Sequence, residues 1–239
     1  MIDLQKGNTL ELVKKITDES IDFILTDPPY KIIQGGCTNK AVRFKGTTHA
    51  DLKNGELFKN NDIKFSNWLT DAFRVLKNGS HCIVMTNDRN LEQLLSDSRK
   101  AKFKLLNILV WKKSKHSPNR YYMKNAEFLV LLRKGKAKNI NDMGTRQVLE
   151  FDNVKTKTHP TQKPVCLLAK LIENSTNENE TVLDMFMGTG SCAVACRNTN
   201  RNFIGFELDG NYYNVAKKRV EEKKEEKENK QLPLFNELN

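Results

Sequence analysis

The chain has 239 residues, enough for one large α/β domain or two small ones around a buried core. Lys and Arg number 40 against 29 Asp and Glu, a net charge of +11, so a polyanionic partner, most often nucleic acid, is expected. Five cysteines without a C-x-x-C pair speak for a reducing compartment, and neither a signal-peptide core nor an apolar run near the ~20 residues of a membrane helix is found, so a soluble cytoplasmic protein is expected.

In chain order, an apolar-polar alternation over residues 1–7 predicts a strand ending at Gly7. Leu10, Leu12, Val13 and Ile16 then recur at helical spacing, with Asn8 or Thr9 as the cap. The apolar run Ile21–Leu25 reads as a buried strand. It stops at Thr26-Asp27-Pro28-Pro29-Tyr30, because proline donates no backbone hydrogen bond and fixes φ. The product is a rigid elbow at the carboxyl end of a strand, where open α/β sheets bind ligands. A planar group with an exocyclic amine suits this elbow. Asp27 and a carbonyl of Pro28 or Pro29 accept the two N–H bonds, and Tyr30 stacks on the ring.

Residues 31–61 are polar and without a period, and their basic side chains include Arg43 and Lys45. They read as a basic insertion able to close over substrate. Trp68, Leu69, Ala72, Phe73, Val75 and Leu76 predict an amphipathic helix that stops at Asn78-Gly79. A strand at His81–Met85, a helix over about 89–100, and strands at 103–111 and 126–132 follow. Residues 112–124 hold Lys112, Lys113, Lys115, Arg120 and Lys124 with no acid, together with Tyr121 and Tyr122. Such a tip neutralises phosphates and stacks on unpaired bases, so nucleic-acid contact is expected there. His116 by itself does not mark a catalytic base. Residues 133–158 read as a further aperiodic basic insertion, and Pro164 opens a helix from Val165.

The second motif follows the predicted strand Thr181–Asp184. Gly188-x-Gly190-x-x-Ala193 fits the G-x-G-x-x-[GA] nucleotide fingerprint between strand and helix. The first glycine is expected to make the turn, the second to admit the ligand, and Ala193 to let the helix pack closely. Asn202–Phe206 is another strand. It ends in Glu207, 19 positions after Gly188, where an acid would bind ribose hydroxyls. Asp184 would repel a pyrophosphate and attract an ammonium, so S-adenosylmethionine, a nucleoside bearing an amino acid, fits better than NAD. Cys192 and Cys196 lack a partner ligand and read as core, so no metal is expected.

Together the D-P-P-Y elbow, the F-x-G-x-G loop and the His159-Pro160-Thr161-Gln162-Lys163-Pro164 stretch resemble the amino-directed DNA methyltransferases. Their order, elbow first and cofactor loop late, resembles the permuted β class over about residues 1–220. The resemblance implies an α/β, Rossmann-like, seven-stranded methyltransferase sheet, with double-stranded DNA as partner. It implies base flipping, DNA methylation and the setting of restriction–modification. Asp27 and a Pro28 or Pro29 carbonyl would grip the target amine, with Tyr30 on the flipped base. Asp184, Phe186, Gly188 and Gly190 would contact the methionine moiety, Glu207 the ribose, and Lys163 would flank the cofactor. Asn8 stands where the family usually has Asp, so weaker adenine binding is expected. Met185 replaces a common Pro, a tolerable change.

Adenine N6 is the expected target, with cytosine N4 as the alternative and a non-catalytic DNA-binding relative behind it. An RNA or protein-amide methyltransferase would more often show Asn in the elbow and place its cofactor loop first. Residues 221–239 form a charged tail ending in Gln231-Leu232-Pro233-Leu234-Phe235. That pentapeptide resembles the bacterial sliding-clamp-binding motif, with Gln231, Leu232, Leu234 and Phe235 as anchors. Folding back onto the domain is the alternative for the tail. The recognition sequence is not readable from the residues, and a homodimer is compatible with them.

Overall fold

The computed structural model describes residues 1–29, 63–117, 121–154 and 162–222. Eight strands form one sheet: β1 (Ile2–Lys6), β2 (Ile21–Thr26), β3 (Leu76–Thr86), β4 (Lys104–Ser117), β5 (Lys124–Arg133), β6 (Val148–Phe151), β7 (Thr181–Asp184) and β8 (Asn202–Glu207). Their spatial order is β1-β8-β7-β2-β3-β5-β4-β6. The first five in that order run parallel, β5 is antiparallel to β3 and β4, and β6 lies parallel to β4. From β2 the chain moves to β3 on one side, and from β7 it moves to β8 on the other. The seam between β2 and β7 is therefore the point where strand order reverses, the place an open α/β sheet keeps for its ligand.

Among the described residues six α-helices cover the two faces: α1 (Thr9–Leu12), α2 (Leu69–Val75), α3 (Leu91–Lys100), α4 (Val165–Ser175), α5 (Ser191–Asn198) and α6 (Gly210–Glu221). The strand period of two divides the core accordingly. Phe23, Leu25, Ile83 and Met85 point to one face with Leu167, Leu168, Ala193 and Ala216. Ile24, Cys82 and Val84 point to the other with Leu69, Ala72 and Leu94. Every residue of β2 is buried, as expected of a central strand covered on both sides. Cys192 and Cys196 lie in the core of α5.

Three expectations are corrected. The helix before β3 stops at Val75, not at Asn78-Gly79. Leu76 is already extended and pairs with Ile21, while Lys77 meets Asp22 at 2.6 Å. Apolar spacing could not show this, because Leu76 fits either the helix face or the sheet. β4 runs on to Ser117, so half of the predicted basic tip is strand. The aperiodic stretch 133–158 contains β6, four residues with alternating exposure that add an eighth strand to the expected seven. The insertion 31–61 and most of the tail 221–239 lie outside the described residues.

Candidate active site

The cofactor side is built from the carboxyl ends of β1, β7 and β8. Beyond Asp184 the chain turns through Met185–Gly190 into α5, and both glycines adopt positive φ. The two glycines differ in their surroundings. A Cβ on Gly188 (φ +54°) would meet nothing within 4 Å, so the backbone of this glycine faces open space. A Cβ on Gly190 (φ +77°) would come within 2.8 Å of the Ala216 Cβ, so this glycine lets α6 approach the turn. Arg219 of α6 reinforces the turn by donating to the Thr189 carbonyl at 2.5 Å and to Ser191 Oγ at 3.3 Å.

Glu207 receives the Gly188 N–H on Oε2 at 2.9 Å and the Asp209 N–H on Oε1 at 2.7 Å. Its carboxylate thus organises the loop as well as facing it, and burial raises its pKa. β1 ends beside it, with Lys6 in register with Glu207 and the Gly7 N–H donating to the Glu207 carbonyl at 2.9 Å. Asn8 follows directly. Its side-chain oxygen caps α1 by accepting from the Leu10 N–H at 3.0 Å, which leaves a second lone pair for another donor. Phe186 stands edge-on to Trp68, with ring centroids 5.5 Å apart. Trp68 was legible only as helix core, so its part in backing the cofactor loop had no signal in the spacing.

The target side adjoins this loop through one buried hydrogen bond, from Thr26 Oγ1 to Asp184 Oδ1 at 2.8 Å, spanning 158 positions of chain. The Phe186 N–H also donates to Asp184 Oδ1, at 3.1 Å. Burial nevertheless pushes the Asp184 carboxyl up to about 7. The buried Asp184 carboxyl, the open backbone of Gly188 and the Glu207 carboxylate fit S-adenosylmethionine, whose ammonium would favour the ionised form of Asp184.

Asp27 follows Thr26, with Pro28 buried and Pro29 half-buried behind it. Tyr30 lies outside the described residues. Lys163, expected beside the cofactor, donates its ammonium to Asp27 Oδ2 and also approaches Glu127 at 3.4 Å. Lys113, expected at a DNA-facing tip, pairs with Glu127. The reason is β-sheet register: Trp111 of β4 stands opposite Glu127 of β5, which brings Lys113 alongside the same acid. Burial raises the Asp27 carboxyl above its usual range even though Lys163 opposes the shift. Burial also works against the Glu127 charge, but Lys163 and Lys113 overcome it and hold that group below its usual range. Glu127 was not singled out in the sequence, where it is one acid at the head of an apolar run.

Of the other basic candidates, Lys112 meets Glu150 of β6 at 3.1 Å with half its side chain exposed, and the Lys115 N–H donates to Asn153 Oδ1 at 3.1 Å. Tyr121 is 85% exposed, Tyr122 87% and Met123 60%, so the tip presents flat and apolar side chains to solvent. Arg120, Arg43 and Lys45 lie outside the described residues. Among the described residues no three His, Cys, Asp or Glu side chains are placed to hold a metal. No described helix is long and apolar enough to cross a membrane.

The profile of the DNA methylase family with the N6/N4 methyltransferase domain matches residues 21–218. The type II methyltransferase M2.LlaDCHI of Lactococcus lactis subsp. cremoris is 30% identical, covering 91% of this chain and 88% of that protein. M2.MboI of Moraxella bovis is 29% identical over 92% of this chain and 88% of its own length. The M1.HpyAVI–SAM complex superposes with a TM-score of 0.69 and 26% identity, over 92% of this chain and all of that one. PvuII DNA methyltransferase, cytosine-N4-specific, shares the fold at a TM-score of 0.71 and 16% identity, over 94% of this chain and 88% of that one. The chain therefore belongs to the DNA methylase family and is an S-adenosylmethionine-dependent DNA methyltransferase.

Proposed function

We propose that the chain moves a methyl group to the exocyclic N6 amine of an adenine flipped out of a specific site in double-stranded DNA. The observation that carries this reading is the Thr26–Asp184 bond, which joins the amine-gripping elbow to the cofactor loop at the β2–β7 seam. Bound at that loop, S-adenosylmethionine supplies an electrophilic methyl on a sulfonium. The chain's own residues do the rest. The adenine amine is a poor nucleophile because its lone pair is delocalised into the ring. Asp27 and the Pro28 or Pro29 carbonyl accept from its N–H groups, favour a pyramidal nitrogen and stabilise the positive charge that develops as the nitrogen–methyl bond forms and the methyl–sulfur bond breaks to leave a neutral thioether, after which the amine loses its surplus proton to water. Tyr30 stacks on the flipped ring, and the elbow fixes the line of approach. Asp184, Phe186, Gly188 and Gly190 hold the methionine part of the cofactor, Glu207 the ribose and Asn8 the adenine. Lys112, Lys115, Arg120, Tyr121, Arg43 and Lys45 grip the DNA.

One methyltransferase domain spans residues 1–220 in this reading, with basic insertions at 31–61, 112–124 and 133–158. Residues 221–239 tether it, through Gln231, Leu232, Leu234 and Phe235, to a bacterial sliding clamp in the cytoplasm, raising its local concentration on DNA. Exposed Leu105 and Leu106 on β4 leave apolar surface that a homodimer would cover. The deciding experiment is transfer of labelled methyl from S-adenosylmethionine to DNA, followed by nucleoside analysis. N6-methyladenine is expected. N4-methylcytosine alone, or no incorporation, overturns the assignment.

A further inference from the structure

Four charged side chains of alternating sign run inward to the target elbow: Lys113 on β4, Glu127 on β5, Lys163 in the segment before α4, and Asp27 after β2. Glu127 is the bridge, with Oε1 toward Lys113 and Oε2 toward Lys163 at 3.4 Å. The Lys163 side chain is only 8% exposed, so protein groups supply most of the ammonium's hydrogen bonding in place of water. At the outer end, the Lys113 ammonium lies 5.4 Å from the Trp111 ring centre. The Trp111 indole N–H in turn donates to the Phe151 carbonyl of β6 at 2.9 Å. The row is therefore anchored to the sheet at one end and ends on Asp27 at the other.

We propose that Glu127 and Lys113 are positioning residues for methyl transfer, acting through Lys163 to fix the direction and the charge of the Asp27 carboxylate. This rests on the reading of Asp27 as acceptor of the target amine. An ammonium held by Asp27 alone would compete with that amine. Glu127 draws Lys163 toward itself, so one ammonium is shared by two carboxylates. Lys163 bonds Oδ2 of Asp27, and a carboxylate offers about four lone-pair sites, so an amine N–H can be accepted beside it. Lys113 keeps Glu127 charged and directed at Lys163. The charges facing Asp27 are thus Lys163 from the α4 side, Glu127 from β5, Lys113 from β4 and Asp184 from β7.

The test is single-turnover methyl transfer to DNA at saturating cofactor, followed across pH, for the wild type, Glu127→Gln, Lys113→Met and Lys113→Arg. Activity should fall on the acid side as Asp27 takes a proton. Glu127→Gln removes a like charge and releases Lys163 fully to Asp27, so the acid limb should move to lower pH. Lys113→Met leaves Glu127 uncompensated, so the limb should move to higher pH. Each shift should be roughly one pH unit, and Lys113→Arg should restore the wild-type limb. A residue that merely supports the fold would lower the amplitude and leave the limb in place. Unmoved limbs, or shifts of the same sign, overturn the proposal. Asp27→Asn separates this from the underlying reading. If that variant turns over like the wild type, the amine-acceptor reading itself fails. If it is inactive and the limbs do not move, only the row fails.

Discussion

The loop that faces the cofactor and the charged row around Asp27 adjoin each other, yet they are assembled in opposite ways. Asp184, Phe186, Gly188 and Gly190 fall within seven consecutive residues, and Glu207 follows at the end of the next strand. Strand, turn and helix dictate where each of these goes. The row uses one residue from each of four distant segments, brought together only when β2, β5, β4 and the start of α4 meet at one end of the sheet. The turn proposed to hold the methionine part of the cofactor is thus written locally, whereas the surroundings of Asp27 are a product of topology. Substitutions on the two sides should separate binding from chemistry.

The largest expected effect is at Asp27. Asp27→Ala should lower single-turnover methyl transfer about a thousandfold, the scale seen when one preorganised partner of a developing charge is removed. Cofactor affinity should hold in calorimetry, because the loop keeps Asp184 and Glu207. An equal loss of both would mean the two sides act as one unit and would dissolve the contrast drawn above.

Asp184→Asn should act in the opposite sense. Asp184 titrates at about 7 in the fold, above its unfolded value. The neutral form is therefore favoured by folding. That contribution is fully present below the unfolded value and is lost as pH rises through about 7. The cofactor-free protein should lose stability over this range, and the Asn variant should lose less, by roughly 2–4 kcal/mol near pH 8. The same change removes the anchor for the cofactor ammonium and should weaken binding by roughly 1.5–3 kcal/mol. Denaturant melts near pH 5 and near pH 8, paired with calorimetry, check both signs. A variant that binds the cofactor as tightly as the wild type would take Asp184 out of the site.

What the sequence made legible follows the same division. The α/β class, the permuted order and the strands around both motifs could be read because prolines, glycines and apolar runs act over a few residues. Asn8, Asp184 and Glu207 were placed at strand ends for the same reason, and those ends lie together in the fold. The ion pairs of Lys163 and Lys113 could not be read, because a lone lysine in a sequence carries no direction. Their partners are Asp27 and Glu127, and nothing in the spacing between positions 113, 127 and 163 reports an ion pair. β6 was missed because four alternating residues among loop-forming neighbours make too short a signal, and Leu76 because one leucine serves helix and strand equally.

The two glycines sharpen the comparison within the cofactor loop itself. Gly190→Ala would press a methyl into Ala216 at 2.8 Å and keep a strained positive φ, so it should cost roughly 2–5 kcal/mol of stability. Gly188→Ala meets open space and should cost only the backbone strain, about 1–2 kcal/mol, while its methyl intrudes on the ligand. Thermal melts should therefore rank Gly190→Ala as the less stable variant, and cofactor titrations should rank Gly188→Ala as the weaker binder. The reverse order would favour the expectation in which the second glycine admits the ligand.

The smallest expected effect concerns Lys112, Lys113 and Lys115, the lysines in the last third of β4. Each phosphate contact that is lost lowers the slope of log affinity against log salt by about one. Lys112 is half exposed, and its pairing with Glu150 at 3.1 Å is a surface contact that a phosphate can displace at little cost. Lys115 extends toward the exposed tip that carries Tyr121 and Tyr122. Neutralising either should flatten the salt slope by up to about one. Lys113 is turned inward onto Glu127 and Trp111. Lys113→Met should leave the slope of DNA binding unchanged while altering the pH dependence of turnover. Anisotropy titrations at several salt concentrations measure the first quantity and single-turnover assays the second. If Lys113→Met flattened the slope as Lys112→Met does, Lys113 would be a phosphate contact, and the boundary between the DNA-facing surface and the inward row would have to move one residue along β4.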